Sequence, residues 1–289
     1  MRWTEISDKP ESKRYEFLSE ELKLSKFENT FVATELPSEF RDRNFFLNED
    51  NCDRFRQHLN TIKKDFDQIR VGGFFKAKLD VLSNEYPAEL MQIKTLDSLV
   101  KNNSRWWPRN QLYHGFIHMM AHEIKQVDFS APILIVGANS DSKTIISALI
   151  KMGFSTFNIT DVDVEKCRAQ VQDLQKNYFS SHFEMTEIGY VTQLPNIYSI
   201  GVNAIKGELD ETTKMAVIYF NFLPKGAFWI ESTPRATSAL AEEAMSFGFN
   251  VRLGFELIAN LDFVWAKSVL NCDIDLRRLK EIYKTKLLI

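Results

Sequence analysis

A chain of 289 residues is long enough to bury two separate cores, and with 44% hydrophobic and 26% charged residues it is composed as a folded globular protein, which excludes a disordered or fibrous one. Residues 1–120 carry 19 Lys+Arg against 19 Asp+Glu and the remainder 17 against 20, so neither part has the basic excess of an electrostatic nucleic-acid binder. Cys52, Cys167 and Cys272 are odd in number and far apart, which suits buried thiols in a reducing cytoplasm, and the absence of an apolar leader or of a run near 18 apolar residues predicts a cytoplasmic protein with no membrane partner.

In chain order, "ESKRYEFLSEELKL" (11–24) reads as a helix, "TFVATEL" (30–36) as a strand, "CDRFRQHLNTIKKDF" (52–66) as a helix and "QIRVGGFF" (68–75) as a strand. The aromatic and basic "SRWWPRN" (104–110) reads as a packed loop or pocket wall, because the balanced charge argues against base stacking. A helix then begins near "LYHGFIHMMAHEI" (112–124) and connects this unit to the next.

From residue 131 the pattern becomes a regular alternation. "APILIVG" (131–137) is a short apolar strand ending in Gly, followed by polar "ANSDSK" and helical "TIISALIKMGF". "STFNITD" (155–161) and "VEKCRAQVQDLQKNY" repeat the order, and strands at "NIYSIGVNA" (196–204), "GAFWIES" (226–232) and "NVRLG" (250–254) follow, with helices between and after. Alternating β and α implies a parallel sheet covered on both faces, with its ligand at the carboxyl ends of the strands.

His114, His118 and His122 recur every four residues. On a helix, successive members rise about 6 Å, so His114 and His122 are about 12 Å apart and cannot share one ion. Flanked by Phe116, Ile117, Met119 and Met120, the stripe reads as a half-buried helix face, and no metal is assigned.

The turn after the first strand of the second unit is "GANSDS". A dinucleotide loop places glycines there so that backbone N–H groups meet a pyrophosphate at the helix N-terminus. Only Gly137 remains; Asn139 and Ser142 stand at the later glycine positions, and Asp141 puts a carboxylate in the first turn. Asp161, 24 residues after Gly137, has the placement of an acid that reads an adenosine ribose, and serves equally well as part of a helix cap with Asp163. An acid without a nearby Arg favours NAD over NADP.

On these segments the chain resembles the shikimate dehydrogenase family. Its lysine-bearing segment is similar to "GGFFKAKLDVL" (72–82), which puts Lys78 on the catalytic lysine, and "IKTLDS" (93–98) puts Asp97 in the place of a substrate-binding asparagine. "LYHG" (112–115) puts His114 where the family has the lysine's aspartate partner. "GANSDSKT" (137–144) corresponds to its glycine-rich loop, bringing Gly137, Asn139 and Ser140 to the cofactor, and "DVD" (161–163) lacks its NADP-reading arginine. "GVNAIKG" (201–207) keeps Asn203 and Gly207, and "STPRATSAL" (232–240) keeps Pro234 and Thr237. "GFELIANLDF" (254–263) offers Gly254 to the cofactor and Asn260 to the substrate, and Ser12 and Arg14 stand near the serines that hold the substrate carboxylate.

The resemblance implies an α/β fold with an N-terminal αβ substrate-binding domain (1–112) and a C-terminal Rossmann-type doubly wound parallel sheet (113–289), the C-terminal helix being free to return to the first. It implies an NAD- or NADP-dependent oxidoreductase, monomer or homodimer, with Lys78 as proton donor at a carbonyl and His114 beside it. Arg14, Lys78 and His114 together favour a small substrate bearing a carboxylate or phosphate, other than shikimate. The eroded "GANSDS" loop motivates the alternative: a cofactor-free relative that binds a metabolite or protein, or performs acid/base chemistry without redox.

Overall fold

A computed structural model of the chain describes residues 1–121, 123–124, 127–206, 209–235 and 237–286. The chain divides into two compact units, Met1–Gln111 with Asp262–Leu279, and Leu112–Leu261 with Lys280–Ile289.

The first unit is built on a five-stranded mixed sheet. β1 (Arg2–Ile6), β2 (Thr30–Phe31), β3 (Gln68–Val71), β4 (Ser98–Asn102) and β5 (Arg105–Arg109) lie in the order β2-β1-β3-β4-β5. The first three are parallel and the last two antiparallel. Helices α1 (Ser12–Leu24), α2 (Glu49–Asp65), α3 (Leu79–Leu82) and α4 (Ala88–Ile93) connect them. α2 starts where Asn48 accepts the Asp50 amide, carries Glu49 and Asp50 in its first turn and Lys63 and Lys64 in its last, and buries Phe55, Leu59 and Ile62 on one stripe.

Several features depart from the pattern expected of the sequence: β4 was not anticipated, and "QIRVGGFF" is a strand only over Gln68–Val71. "RWTEI" is a strand, although it is not an apolar run, because its polar Thr4 and Glu5 are buried through hydrogen bonds to Thr34 and Glu11. "SRWWPRN" is strand β5 of a hairpin whose turn residues Asn103 and Ser104 both take positive φ, the conformation a two-residue turn demands and one that Gly usually announces. "TFVATEL" is a strand only over Thr30–Phe31, a very short edge of the kind that resists edge-to-edge pairing.

The second unit holds six parallel strands in the order β8-β7-β6-β9-β10-β11. They are β6 (Ile133–Val136), β7 (Thr156–Thr160), β8 (His182–Met185), β9 (Ile200–Asn203), β10 (Phe228–Glu231) and β11 (Asn250–Arg252). With them go α5 (Gln111–Met120), α6 (Ser140–Met152), α7 (Val164–Asn177), α8 (Glu211–Val217) and α9 (Ala239–Ser246), while α10 (Gly254–Leu270) belongs to this unit up to Leu261 and to the first from Asp262, and α11 (Leu276–Lys286) to the first up to Leu279 and to this one from Lys280. "ILIV" is buried at every position, as a strand covered on both faces must be. Leu134, Val136, Val217, Phe220, Phe222 and Trp229 form one side of this core, each worth about 1.5–3 kcal/mol of apolar burial. Among the described residues no helix is long and apolar enough to cross a membrane.

Candidate active site

In the first unit the chemistry gathers around two buried arginines. Arg14, on α1, is 5% exposed; its Nε and Nη2 donate to Asp262 Oδ2 and Oδ1 at 2.8 and 2.7 Å, and its Nη1 to Glu11. Arg70, on β3 and 1% exposed, donates from Nη2 to the same Asp262 Oδ1 at 3.2 Å. Its guanidinium lies 5.0 Å from the Trp265 ring centroid and 5.5 Å from that of Tyr15, while Nε and Nη1 have no hydrogen-bond partner among the described residues. Burial lowers the pKa of Arg14, but Asp262, Tyr15 and Glu11 outweigh it and hold the group above its ordinary value. Glu5, on β1, accepts the Glu11 amide at 2.7 Å, and burial with the charge of Glu11 pushes its carboxyl up to about 7.

This geometry changes the charge expected of Arg14. A bidentate pair with Asp262 neutralises it within the protein, so it is not a bare cation offered to a ligand anion. Ser12 opens α1 and is half-buried. Asp97 is 3% exposed, accepts the Gln111 amide at 2.8 Å and the Ser98 hydroxyl at 3.3 Å, and raises the Arg70 pKa by its charge. Lys78 precedes α3, half-buried, with Nζ 5.5 Å from the Phe46 ring centroid.

In the second unit, the crevice between β6 and β9 is the topological switch point of the sheet. Gly137 follows β6 at φ +108°, and a Cβ there would stand 2.9 Å from the Ile205 amide, so a residue without a side chain is required. Asn139 caps α6: its Oδ1 accepts the Asp141 and Ser142 amides at 2.9 and 3.1 Å, and Ser142 Oγ accepts the Asn139 amide at 2.8 Å. Asn139 Nδ2 reaches across the crevice to the Ala204 carbonyl at 2.6 Å, and Asp141 pairs with Lys206 at 3.3 Å. Ser140 is the first residue of the helix. Asp161 Oδ2 accepts the Ala138 amide at 2.6 Å and Lys166 Nζ at 3.2 Å, and Oδ1 accepts the Asp163 amide.

Next along the carboxyl edge, Glu231 ends β10 at 5% exposure and accepts Trp229 Nε1 at 2.7 Å and Asn203 Nδ2 at 2.9 Å. Burial raises its pKa, and those donors, with Ser238 and Arg235, hold it back. Asn203 Oδ1 also accepts the Ile205 amide at 3.2 Å, so both ends of its amide are engaged. Gly254 begins α10 with the Thr233 carbonyl 1.5 Å from where a Cβ would be, which gives it a packing reason to be glycine. Asn260 donates to the Glu256 carbonyl, and its Oδ1 lies 2.7 Å from His118 Nδ1, which donates. His114 is half-buried one turn earlier, its ring 5.1 Å from that of Tyr113. His122 and Gly207 lie outside the described residues. Among the described residues no three His, Cys, Asp or Glu side chains are grouped to hold a metal ion.

No family model and no curated protein matches the sequence. Solved structures match its shape over the full length. Shikimate 5-dehydrogenase from Thermus thermophilus, in complex with shikimate, is 12% identical with a TM-score of 0.75, covering 100% of both chains. Quinate dehydrogenase from Corynebacterium glutamicum, in complex with NAD, is 12% identical with a TM-score of 0.79, covering 99% of both. The 5-ketofructose reductase of a Gluconobacter species is 12% identical with a TM-score of 0.74, covering 99% of this chain and 98% of that one.

The chain has the shikimate dehydrogenase-like fold.

Within that fold, sequence reasoning passed over Glu5, Arg70, Glu231 and Asp262. Asp262 had a visible signal, an acid inside the otherwise apolar "LIANLDFVW", and Glu231 had another, an acid closing "AFWIES". Arg70 had none beyond a charge inside a strand, because its partners lie on α1 and α10.

Proposed function

We propose that this chain is an NAD(P)-dependent oxidoreductase of the shikimate dehydrogenase type that acts on a small anionic hydroxy or keto metabolite other than shikimate. The observation that carries it is the strand order β8-β7-β6-β9-β10-β11, with Gly137 and Asp161 at the carboxyl ends of its first two strands. On the ribose side, Asp161, 6% exposed, is the group that supports the reading. Asp161 accepts three protein donors, and a carboxylate with about four lone-pair sites retains one for a ribose hydroxyl, favouring NAD. On the pyrophosphate side, the Ser140 amide at the start of α6 is the donor offered, since Asn139 covers the next two. A bound nicotinamide supplies hydride. Lys78 is the proposed proton donor to the carbonyl oxygen, His114 a second proton-carrying group, and Ser12, Asp97 and Asn260 the proposed orienting groups.

One observation favours a second reading, a cofactor-free relative that binds a small metabolite: at the start of α6 the Asn139 side chain already takes the Asp141 and Ser142 amides that a pyrophosphate would need, with the Asp141 carboxylate beside them. Titration of the full chain with NADH and NADPH, followed by nicotinamide fluorescence, separates the two. Saturable binding of either below millimolar concentration is expected. If neither binds while small hydroxycarboxylates still raise the melting temperature, the second reading stands.

A further inference from the structure

At the carboxyl edge of the second unit's sheet, the last residues of two neighbouring strands lie side by side: Glu231 of β10 is the register partner of Asn203 of β9. Both are buried. Two N–H donors converge on the acid: Trp229 Nε1 donates to its Oε1 at 2.7 Å and Asn203 Nδ2 to its Oε2 at 2.9 Å. The donor end of the Asn203 amide is thereby fixed, and its Oδ1 accepts the Ile205 N–H at 3.2 Å. The Ile205 carbonyl in turn accepts the Thr233 hydroxyl at 2.8 Å, so both polar groups of the Ile205 backbone are held from the β10 side. Ile205 is the wall opposite Gly137, where a Cβ would stand 2.9 Å from the Ile205 nitrogen.

The order of donors and acceptors explains why an acid is buried here. A carboxylate only accepts, so it satisfies both donors at once, whereas an amide at 231 offers one acceptor and one donor. Trp229 cannot turn to suit an amide, because its ring is fully buried against Gly201, where a Cβ would lie 2.6 Å from it. The amide oxygen would stay on Trp229, and the amide NH2 would meet the NH2 of Asn203. Asn203 would then turn over and present a donor to the Ile205 N–H, which loses its acceptor.

We infer that Glu231 is a positioning residue: through Asn203 it fixes the Ile205 backbone against Gly137 and so sets the crevice between β6 and β9. Its bearing on a dinucleotide rests on the cofactor reading above; its hold on Ile205 does not.

Amide hydrogen exchange of Ile205, with fluorescence titration by NADH and NADPH, tests this in the full chain. Glu231→Gln should speed Ile205 exchange at least about fivefold, the loss of one hydrogen bond, and weaken nucleotide binding by a similar factor. Combining Glu231→Gln with Asn203→Asp swaps acid and amide: the new amide donates to the new carboxylate, which also accepts the Ile205 N–H. The double variant should therefore return Ile205 exchange to the native rate, a repair that a general loss of stability would not show. Should Glu231→Gln not fold, Asn203→Asp alone, which sets two carboxylates face to face, replaces it as the single variant. Unchanged Ile205 exchange in the single variant, or no recovery in the double, overturns the assignment. Faster exchange with undiminished nucleotide affinity overturns the role at the crevice. If the native chain binds neither nucleotide, the cofactor reading fails, and Ile205 exchange by itself decides the role of Glu231.

Discussion

Glu5 shows in a single side chain how this fold uses buried charge. At 3% exposure, with Glu11 nearby, its carboxyl titrates at about 7, although Arg14 and Arg70 pull the other way. The folded value lies above the ordinary value of 4.5, so the folded state binds the proton more tightly than the unfolded one. Its contribution is therefore complete below the unfolded value and is lost as pH rises through the folded one. Denaturant unfolding of the native chain should lose about 3 kcal/mol between about pH 5 and pH 8 relative to Glu5→Gln, which mimics the protonated form. Parallel pH profiles for the two proteins would show that Glu5 does not titrate in this way. This acid was not legible in the sequence: "RWTEI" has no apolar run, and only burial between β3 and α1 makes Glu5 unusual.

Among the elements, the start of α6 holds two uses of the same amides in balance. The Asn139 side chain satisfies two of the helix's unpaired donors and ties the loop to Ala204, which stabilises the helix end but takes those donors from any phosphate. Asn139→Gly with Asp141→Ala frees the amides and removes the carboxylate. Stability should fall by no more than about 1 kcal/mol, since glycine at a cap costs only a few tenths, while NADH or NADPH affinity rises at least about tenfold. Both follow from one fluorescence titration and one melt. Unchanged affinity would show that the cap does not limit binding. The helix itself was plain in the sequence, because "ANSDSK" before an apolar run is a start signal; that Asn139 also bridges to residue 204 was not, since nothing local encodes that partner.

Across the molecule as a whole, the first unit is discontinuous in sequence. Asp262 and Trp265 come from α10, and Asp262 lies 248 residues after Arg14, yet it is the carboxylate of both buried arginines, while Trp265 packs at 5.2 Å from Trp3. A fragment of residues 1–111 therefore leaves Arg14 and Arg70 buried without Asp262, a loss of about 3–5 kcal/mol, enough to unfold a small domain. Circular dichroism of that fragment should show no cooperative melt; a sharp transition would mean the returning segment is dispensable.

Residue pattern alone specified five of the six parallel strands of the second unit and most of its helices; the edge strand β8, "HFEM", was missed because its charged and polar residues carry no apolar run. "ILIV", "TFNIT" and "FWIE" carry their strand character in neighbouring residues, and the capped amphipathic runs between them carry theirs. Local pattern sufficed because a strand covered on both faces is apolar wherever it lies. The partners of buried charge and amide groups were settled by the folded chain instead: Asp262 for Arg14 and Arg70, Asn203 for Glu231, and Asn260 for His118. A charged or amide side chain reads the same in a sequence whether water or a buried partner satisfies it, and the choice is made when distant segments meet.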